Sequence, residues 1–328
     1  MADTGLPMGE SDTILGPDGA LWSYVHASDR SAGVVDGWGA PVPFPGCVVR
    51  YVSQDGGVSF TLPEPVCLFT CAQKPCDIQT DHIDQQQYPR VVREGDGYLL
   101  AYEHRAMVFL ARSTDGVNWT RLGQLPGTGV WRYDFRGCAK AESVGVHPFS
   151  PYEEQCLVGG PPGLFVDGGE VYVFVGLGRN PGGMGCYKAP VGAPVEAFTK
   201  CLHNPLFTGA EDYGPVDLAG PDANPYFDFR TISSAEVQRI GARYYMLYEG
   251  VRGPGPGDPG DTQFGLGLAR STTEQVDGPW ETFPGNPILV DLPGNIGLGH
   301  GDLVLLNGRT YLYTSLDGET RSRLALVW

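Results

Sequence analysis

Four side chains able to exchange protons or bind ions stand at matching places in this chain of 328 residues. Asp12, Arg90, Glu236 and His300 each open or just precede a short apolar run. That run passes through a glycine-containing turn into a second, aromatic-rich run. Two carboxylates can divide the work of hydrolysis. A protonated one gives its proton to a leaving oxygen, while an ionised one draws a proton from water, which is what cleavage of a glycosidic bond requires. Asp12 and Glu236 are the candidate pair, with Arg90 and His300 as candidates for holding substrate. The chain must bring them together from far apart.

The elements that would do so form a repeat. DTILGPDGALWSYVHAS from Asp12, YPRVVREGDGYLLAYEH from Tyr88, PPGLFVDGGEVYVFVGLG from Pro161, AEVQRIGARYYMLYEG from Ala235 and GHGDLVLLNGRTYLYTS from Gly299 share one pattern. Each reads as a β-hairpin, with turns expected at Asp18-Gly19, Asp96-Gly97, Gly168-Gly169 and Asn307-Gly308. Asp12 to Tyr24, Arg90 to Tyr102, Pro162 to Phe174 and Glu236 to Tyr248 are all twelve residues apart, and His300 to Tyr313 thirteen. Third and fourth strands follow, as in MVFLARSTDGVNWTRL. The pattern predicts an all-β, single-domain fold over 1–328: a five-bladed β-propeller with four-stranded antiparallel blades around a central channel. The innermost strands of such blades line the channel, so their starts converge at one mouth. The last blade has three strands before Trp328, so residues ahead of Asp12 either complete it or leave it three-stranded.

Composition agrees. With 48 Gly and 28 Pro, long helices are excluded, and 41% hydrophobic residues exclude disorder. Lys and Arg number 22 against 38 Asp and Glu, a net charge of −16 without a basic run, which excludes nucleic acid as a partner. The most apolar stretch, CLVGGPPGLFVDGGEVYVFVGLG, carries Asp167, Glu170 and many glycines, so no membrane span is expected. MADTGLPMGESD has neither a basic nor an apolar leader region, and any signal peptide is expected to be absent already. Eight cysteines without a CxxC point to disulfides in a secreted or periplasmic protein, with buried free thiols as the alternative. Cys186–Cys201 and Cys138–Cys156 are the leading pairs, and Cys71 and Cys76 bracket a shorter loop. A monomer or small homo-oligomer is expected.

SQDGGVSF (Ser53 to Phe60) and STDGVNWT (Ser113 to Thr120) resemble the Asp-box turn of many propellers. Asp55 and Asp115 are expected to accept hydrogen bonds within their turns while the aromatic residue packs inward, a structural role.

The hairpins together resemble the five-bladed glycoside hydrolases of family 43, in the wider group with families 32, 62, 68, 117 and 130. Asp12-Thr-Ile-Leu-Gly-Pro-Asp-Gly resembles that family's D-P-x-I-x-x-x-D-G, whose Asp is the base. Glu236 followed by Gly241-Ala-Arg-Tyr-Tyr-Met-Leu-Tyr resembles its general acid and G-x-Y-Y-L-x-Y. Gly299-His300 matches the G-H opening its fifth blade, often near a central ion, and GPWETFPGNPIL resembles a further segment. The resemblance implies a glycosidase acting by inversion on a plant, algal or microbial poly- or oligosaccharide. It requires no cofactor, although a structural Ca²⁺ in the channel near His300 would fit it.

One departure stands out. The family's third carboxylate opens blade three, where this chain has Pro161. A raised pKa keeps a Glu protonated near neutral pH, so another carboxylate must act on Glu236. Asp84, Asp134 and Asp228 are candidates from loops at the same mouth, Asp134 and Asp228 each in a DFR triplet with Arg136 and Arg230. Asp228 is also the reserve acid. Trp38, Trp131 and Tyr226 lie in Gly/Pro-rich loops and are candidates for stacking on sugar rings. Two rivals stand beside this reading: a non-catalytic carbohydrate-binding propeller, favoured by Pro161, and a sialidase-like hydrolase, suggested by the Asp-boxes.

Overall fold

The computed structural model describes residues 2–7, 10–28, 46–62, 86–104, 107–128, 158–177, 182–209, 227–228, 231–252, 263–290, 301–315 and 320–326. Among them helix is confined to a single 3-10 turn, Val195–Ala197. The fold is all-β.

The chain runs as a series of antiparallel meanders. Strand β1 (Ala2–Pro7) belongs to the last of them. β2 (Ser11–Leu15), β3 (Leu21–Ser28) and β4 (Gly46–Ser53) form a three-stranded sheet, extended by a bridge from Val52 to Thr61. β5 (Gln87–Glu94), β6 (Gly97–His104), β7 (Met107–Ser113) and β8 (Trp119–Gln124) form a four-stranded sheet. β9 (Val158–Asp167), β10 (Glu170–Leu177) and β11 (Gly183–Pro190) follow, with short β12 (Thr199–Lys200) and β13 (Phe207–Thr208) on the edge of β11. β14 (Thr231–Ile240), β15 (Arg243–Arg252) and β16 (Gln263–Ser271) repeat the plan, with short β17 (Trp280–Thr282) and β18 (Leu289–Val290) on β16. A parallel bridge between Leu164 and Glu236 joins these last two meanders into one ten-stranded sheet. Finally β19 (Asp302–Leu306), β20 (Arg309–Ser315) and β21 (Thr320–Leu326) take β1 as their fourth strand. Residues ahead of Asp12 therefore complete the last sheet.

Turn chemistry explains the local register. Asn307-Gly308 and Gly168-Gly169 adopt φ of 52° and 74°, and 60° and 82°, the left-handed pair that a two-residue hairpin demands. Asp96-Gly97, expected as a turn, is corrected by one residue. Gly97 pairs with Glu94, so the turn is Gly95-Asp96, and Gly95 takes the positive φ.

The core lies between successive meanders. Trp22 and Tyr24 of β3 pack with Tyr98, Leu100 and Tyr102 of β6. Leu99 and Leu110 pack with Val171 and Val173, and Phe174 packs with Val237 and Met246. Leu247 and Leu266 meet Leu312, and Val304 and Tyr313 return to Leu21 and Val25. Tyr24, Tyr102, Phe174, Tyr248 and Tyr313, the aromatic marks of the sequence repeat, are all fully buried. Close approach of β9 and β14 requires Gly163, where a Cβ would lie 2.3 Å from the Ala235 carbonyl oxygen.

Both Asp-boxes act as staples between meanders. Asp55 accepts from Val58 N, Ser59 N and the Ser59 and Ser53 hydroxyls; Asp115 accepts from Val117 N, Asn118 N, Asn118 Nδ2 and the Ser113 hydroxyl. Phe60 and Trp119 turn inward against Tyr313 and Tyr24, with ring centroids 5.8 Å apart in both pairs. The two tyrosine hydroxyls donate to the turn carbonyls of Gly57 (3.0 Å) and Gly116 (2.9 Å). The disulfide expected at Cys186–Cys201 is present, with Cα atoms 5.4 Å apart.

Candidate active site

The site is assembled from strand starts. Asp12 lies in β2 opposite Tyr24, and Asp302 in β19 opposite Tyr313, so the two carboxylates occupy equivalent places. Arg90 and Glu236 sit beside irregularities. The pairing of β5 with β6 slips between Gln87 and Arg90, and that of β14 with β15 between Ser233 and Glu236. Tyr88 and Ser234 take φ of 51° and 55° at these slips, a conformation rarely adopted by residues other than glycine. A bulge of this kind re-aims the side chains that follow it, here Arg90 and Glu236.

Arg90 is the hub. Its buried guanidinium donates from Nη1 to Ser11 O at 3.2 Å, and from Nη2 to Ser234 Oγ at 2.7 Å and Gly301 O at 3.1 Å. The same Nη1 lies 3.5 Å from Asp12 Oδ1 and 3.5 Å from Glu236 Oε2. Those two oxygens are therefore within about 7 Å of each other. Asp12 also accepts the Val91 N–H on Oδ2. Asp302 is fully buried; it accepts Thr13 N (3.1 Å) on Oδ1, and Thr13 Oγ1 (2.7 Å) and Ser11 Oγ (3.1 Å) on Oδ2. It thus grips the residues on either side of Asp12.

Electrostatics follow from burial. Desolvation pushes the Asp12 carboxyl up to about 7; Arg90 and the Val91 N–H oppose the rise and Asp302 adds to it. Glu236 is raised well above the usual carboxyl range, first by burial, then by the Asp12 charge and by Asp302, with Arg90 opposing. Burial would lower Arg90, but Glu236, Asp12, Asp302 and Glu249 together hold it above its ordinary value. Burial and the neighbouring negative charges together outweigh the single cation, and both Asp12 and Glu236 rise above the ordinary carboxyl range. The Glu236 side chain keeps 17% exposure, against 7% for Asp12 and 4% for Arg90, so it is the most open of the three.

Three of the residues singled out in the sequence, Asp12, Arg90 and Glu236, are brought together. Asp228 is fully buried; its Oδ2 accepts the Tyr248 hydroxyl at 2.8 Å, and its backbone packs against Gly209. Asp84, Asp134, Trp38, Trp131, Tyr226, His300, Arg136, Arg230, Cys71, Cys76 and the Cys138–Cys156 pair lie outside the described residues. Asp302 and Ser234 were not anticipated. Asp302 had a signal, since it stands ahead of LVLL, eleven residues before Tyr313, much as Asp12 stands before Tyr24. Ser234 had none, because its part depends on a bulge. Among the described residues no group of three His, Cys, Asp or Glu side chains could hold a metal ion, and Gly301 O already accepts Arg90. His300, beside which the Ca²⁺ was considered from the sequence, lies outside those residues. Nor is any helix among them long and apolar enough to cross a membrane.

The fold is shared with solved glycoside hydrolases. A thermostable family-43 glycoside hydrolase superposes with a TM-score of 0.62 at 13% identity, over 100% of this chain and 93% of that one. An α-L-arabinanase from Cellvibrio cellulosa, solved with arabinohexaose, gives 0.59 at 15% identity over 98% and 93%. An endo-arabinase from Bacteroides thetaiotaomicron gives 0.55 at 14% over 100% and 98%. No protein-family model matches the chain, and no curated protein matches it in sequence. What is shared at these identities is the architecture, an all-β propeller fold.

Proposed function

We propose that this protein is a glycoside hydrolase built on five blades, with β2, β5, β9, β14 and β19 as the inner strands. Glu236 is the general acid and Asp12 the base that activates water, acting by inversion. The observation that carries this reading is the placement of both carboxylates 3.5 Å from one nitrogen of Arg90, with both carboxyls raised by burial. Two carboxyls held within about 7 Å and kept from ionising together can share acid and base roles. The architecture shared with an arabinanase and a family-43 hydrolase supports a glycan substrate. In this reading Arg90 fixes the geometry of both groups, and sugar rings stack on aromatic residues of the loops at the mouth. The Cys186–Cys201 disulfide supports a secreted or periplasmic location.

The test is release of reducing ends from arabinan, xylan and a wider glycan panel, by wild type and by Glu236→Gln. The expected loss is about 10²–10⁴-fold on a natural glycan and less on an activated aryl glycoside, whose leaving group needs little protonation. Equal rates for the two proteins would remove Glu236 from the mechanism. The anomer first formed, followed by NMR, checks inversion. Asp12 favours a second reading, because it is buried and both its oxygens are engaged, by Arg90 and by Val91 N–H. Under that reading the mouth binds glycan without cleaving it; calorimetric binding with no product from any glycan would establish it.

A further inference from the structure

We propose that Asp302 is a positioning residue of this site, a buried negative charge that keeps the proton on Glu236. The inference rests on the acid role proposed for Glu236 and names the group that sustains it. The place in β9 nearest Glu236 is held by Leu164, and Pro161 and Pro162 precede it in the same strand, so that strand brings no carboxylate to its side. Asp302 enters from the opposite flank. Its three hydrogen bonds run to Ser11 and Thr13, which bracket Asp12, and the residue before it, Gly301, accepts from the guanidinium that faces Glu236. Asp302, Arg90, Asp12 and Glu236 therefore form one connected unit drawn from the first strands of four meanders.

Charge decides what the unit does. Glu236 lies against Arg90 from β5 and feels the charges of Asp12 from β2 and Asp302 from β19. Arg90 in turn faces Glu249 from β15, and Tyr313 on β20 lies beside Asp302. Asp302 is deeply buried and accepts from an N–H and two hydroxyls. A fixed negative charge there opposes a second one on Glu236. It also draws on the single guanidinium, so less of that cation is left to ionise Glu236.

Asp302→Asn separates charge from packing. The amide oxygen can still accept Thr13 N–H, and the amide N–H groups can donate to the Thr13 and Ser11 hydroxyls, which are able to accept. The measurements are the pH profile of glycan hydrolysis and the pH titration of Glu236 by ¹³C-carboxyl NMR, with the signal assigned by its absence in Glu236→Gln. The expected result is a downward move of the Glu236 titration, and of the basic limb of kcat, by about one pH unit, with KM little changed. Thr13→Val, which loses a hydroxyl but leaves the charge, lowers stability without moving the titration. A folded Asp302→Asn protein whose Glu236 titrates as in wild type overturns the proposal, as does a Thr13→Val protein showing the same shift. If Asp302→Asn does not fold, Asp302→Ser is titrated instead under the same criteria. Should wild type hydrolyse no glycan, the hydrolase reading fails, while the titration still decides what Asp302 does.

Discussion

Arg90→Met tests whether the site is organised around one cation. Methionine approximates the stem but removes the guanidinium and with it donors to Ser11 O, Ser234 Oγ and Gly301 O. It also strips the compensating charge from Glu236, Asp12, Asp302 and Glu249. Removing one partner of a buried ion pair costs about 3–5 kcal/mol, because the remaining charge has neither water nor a counter-ion. Carboxylates can escape that cost by taking up protons, which makes it depend on pH. In wild type, Asp12 and Glu236 titrate higher in the folded protein than in the unfolded chain. Stability linked to them is therefore full below about pH 4 and is lost as pH rises toward 7 and beyond, by about 1.4 kcal/mol per pH unit for each extra proton held by the folded state. Without Arg90 both groups rise further and the window extends to higher pH. The variant should thus lose about 3–5 kcal/mol at pH 8 but only about 1–2 kcal/mol at pH 4, where unmade hydrogen bonds remain. Urea denaturation of both proteins from pH 4 to 9 reads this directly. A loss independent of pH, or below about 1 kcal/mol at pH 8, would refute a charge-organised site.

Two further substitutions probe the scaffold. Partial burial pulls the Asp115 carboxyl up, but hydrogen bonds from Asn118, Val117 and Ser113 outweigh it and hold the group below the usual carboxylate range. Its stabilisation is therefore present above about pH 4 and fades as pH falls. Asp115→Asn should lose about 1 kcal/mol at pH 7 and clearly less at pH 2, as read by melting curves at the two pH values. Replacing Cys186 and Cys201 together by Ala opens a loop with a sequence separation of 15 and should cost about 3 kcal/mol. Thiol titration in denaturant, without reductant, complements it: eight reactive thiols in protein from an oxidising host would count against both the disulfide and export.

What the sequence determined by itself is what short-range physics controls. The spacing from Asp12 to Tyr24 follows from one hairpin, and the Gly168-Gly169 and Asn307-Gly308 turns follow from glycine and asparagine tolerating positive φ. Asp55 and Asp115 bond within their own turns, so their role could be read from eight-residue motifs. Even here Asp96-Gly97 slipped by one residue, because Gly95 and Gly97 both suit a tight turn and only pairing along β5 and β6 chooses between them. Asp12, Arg90 and Glu236 were legible as candidates because the repeat set them at equivalent strand starts. Their shared nitrogen, their raised pKa values and the part of Asp302 were not. Those depend on strands from distant parts of the chain excluding water around one guanidinium, and burial and Coulomb energy are properties of that enclosure. The bulges at Tyr88 and Ser234, and β1 closing the last sheet, were decided at the same level, where the packing of whole meanders overrides what any short segment prefers.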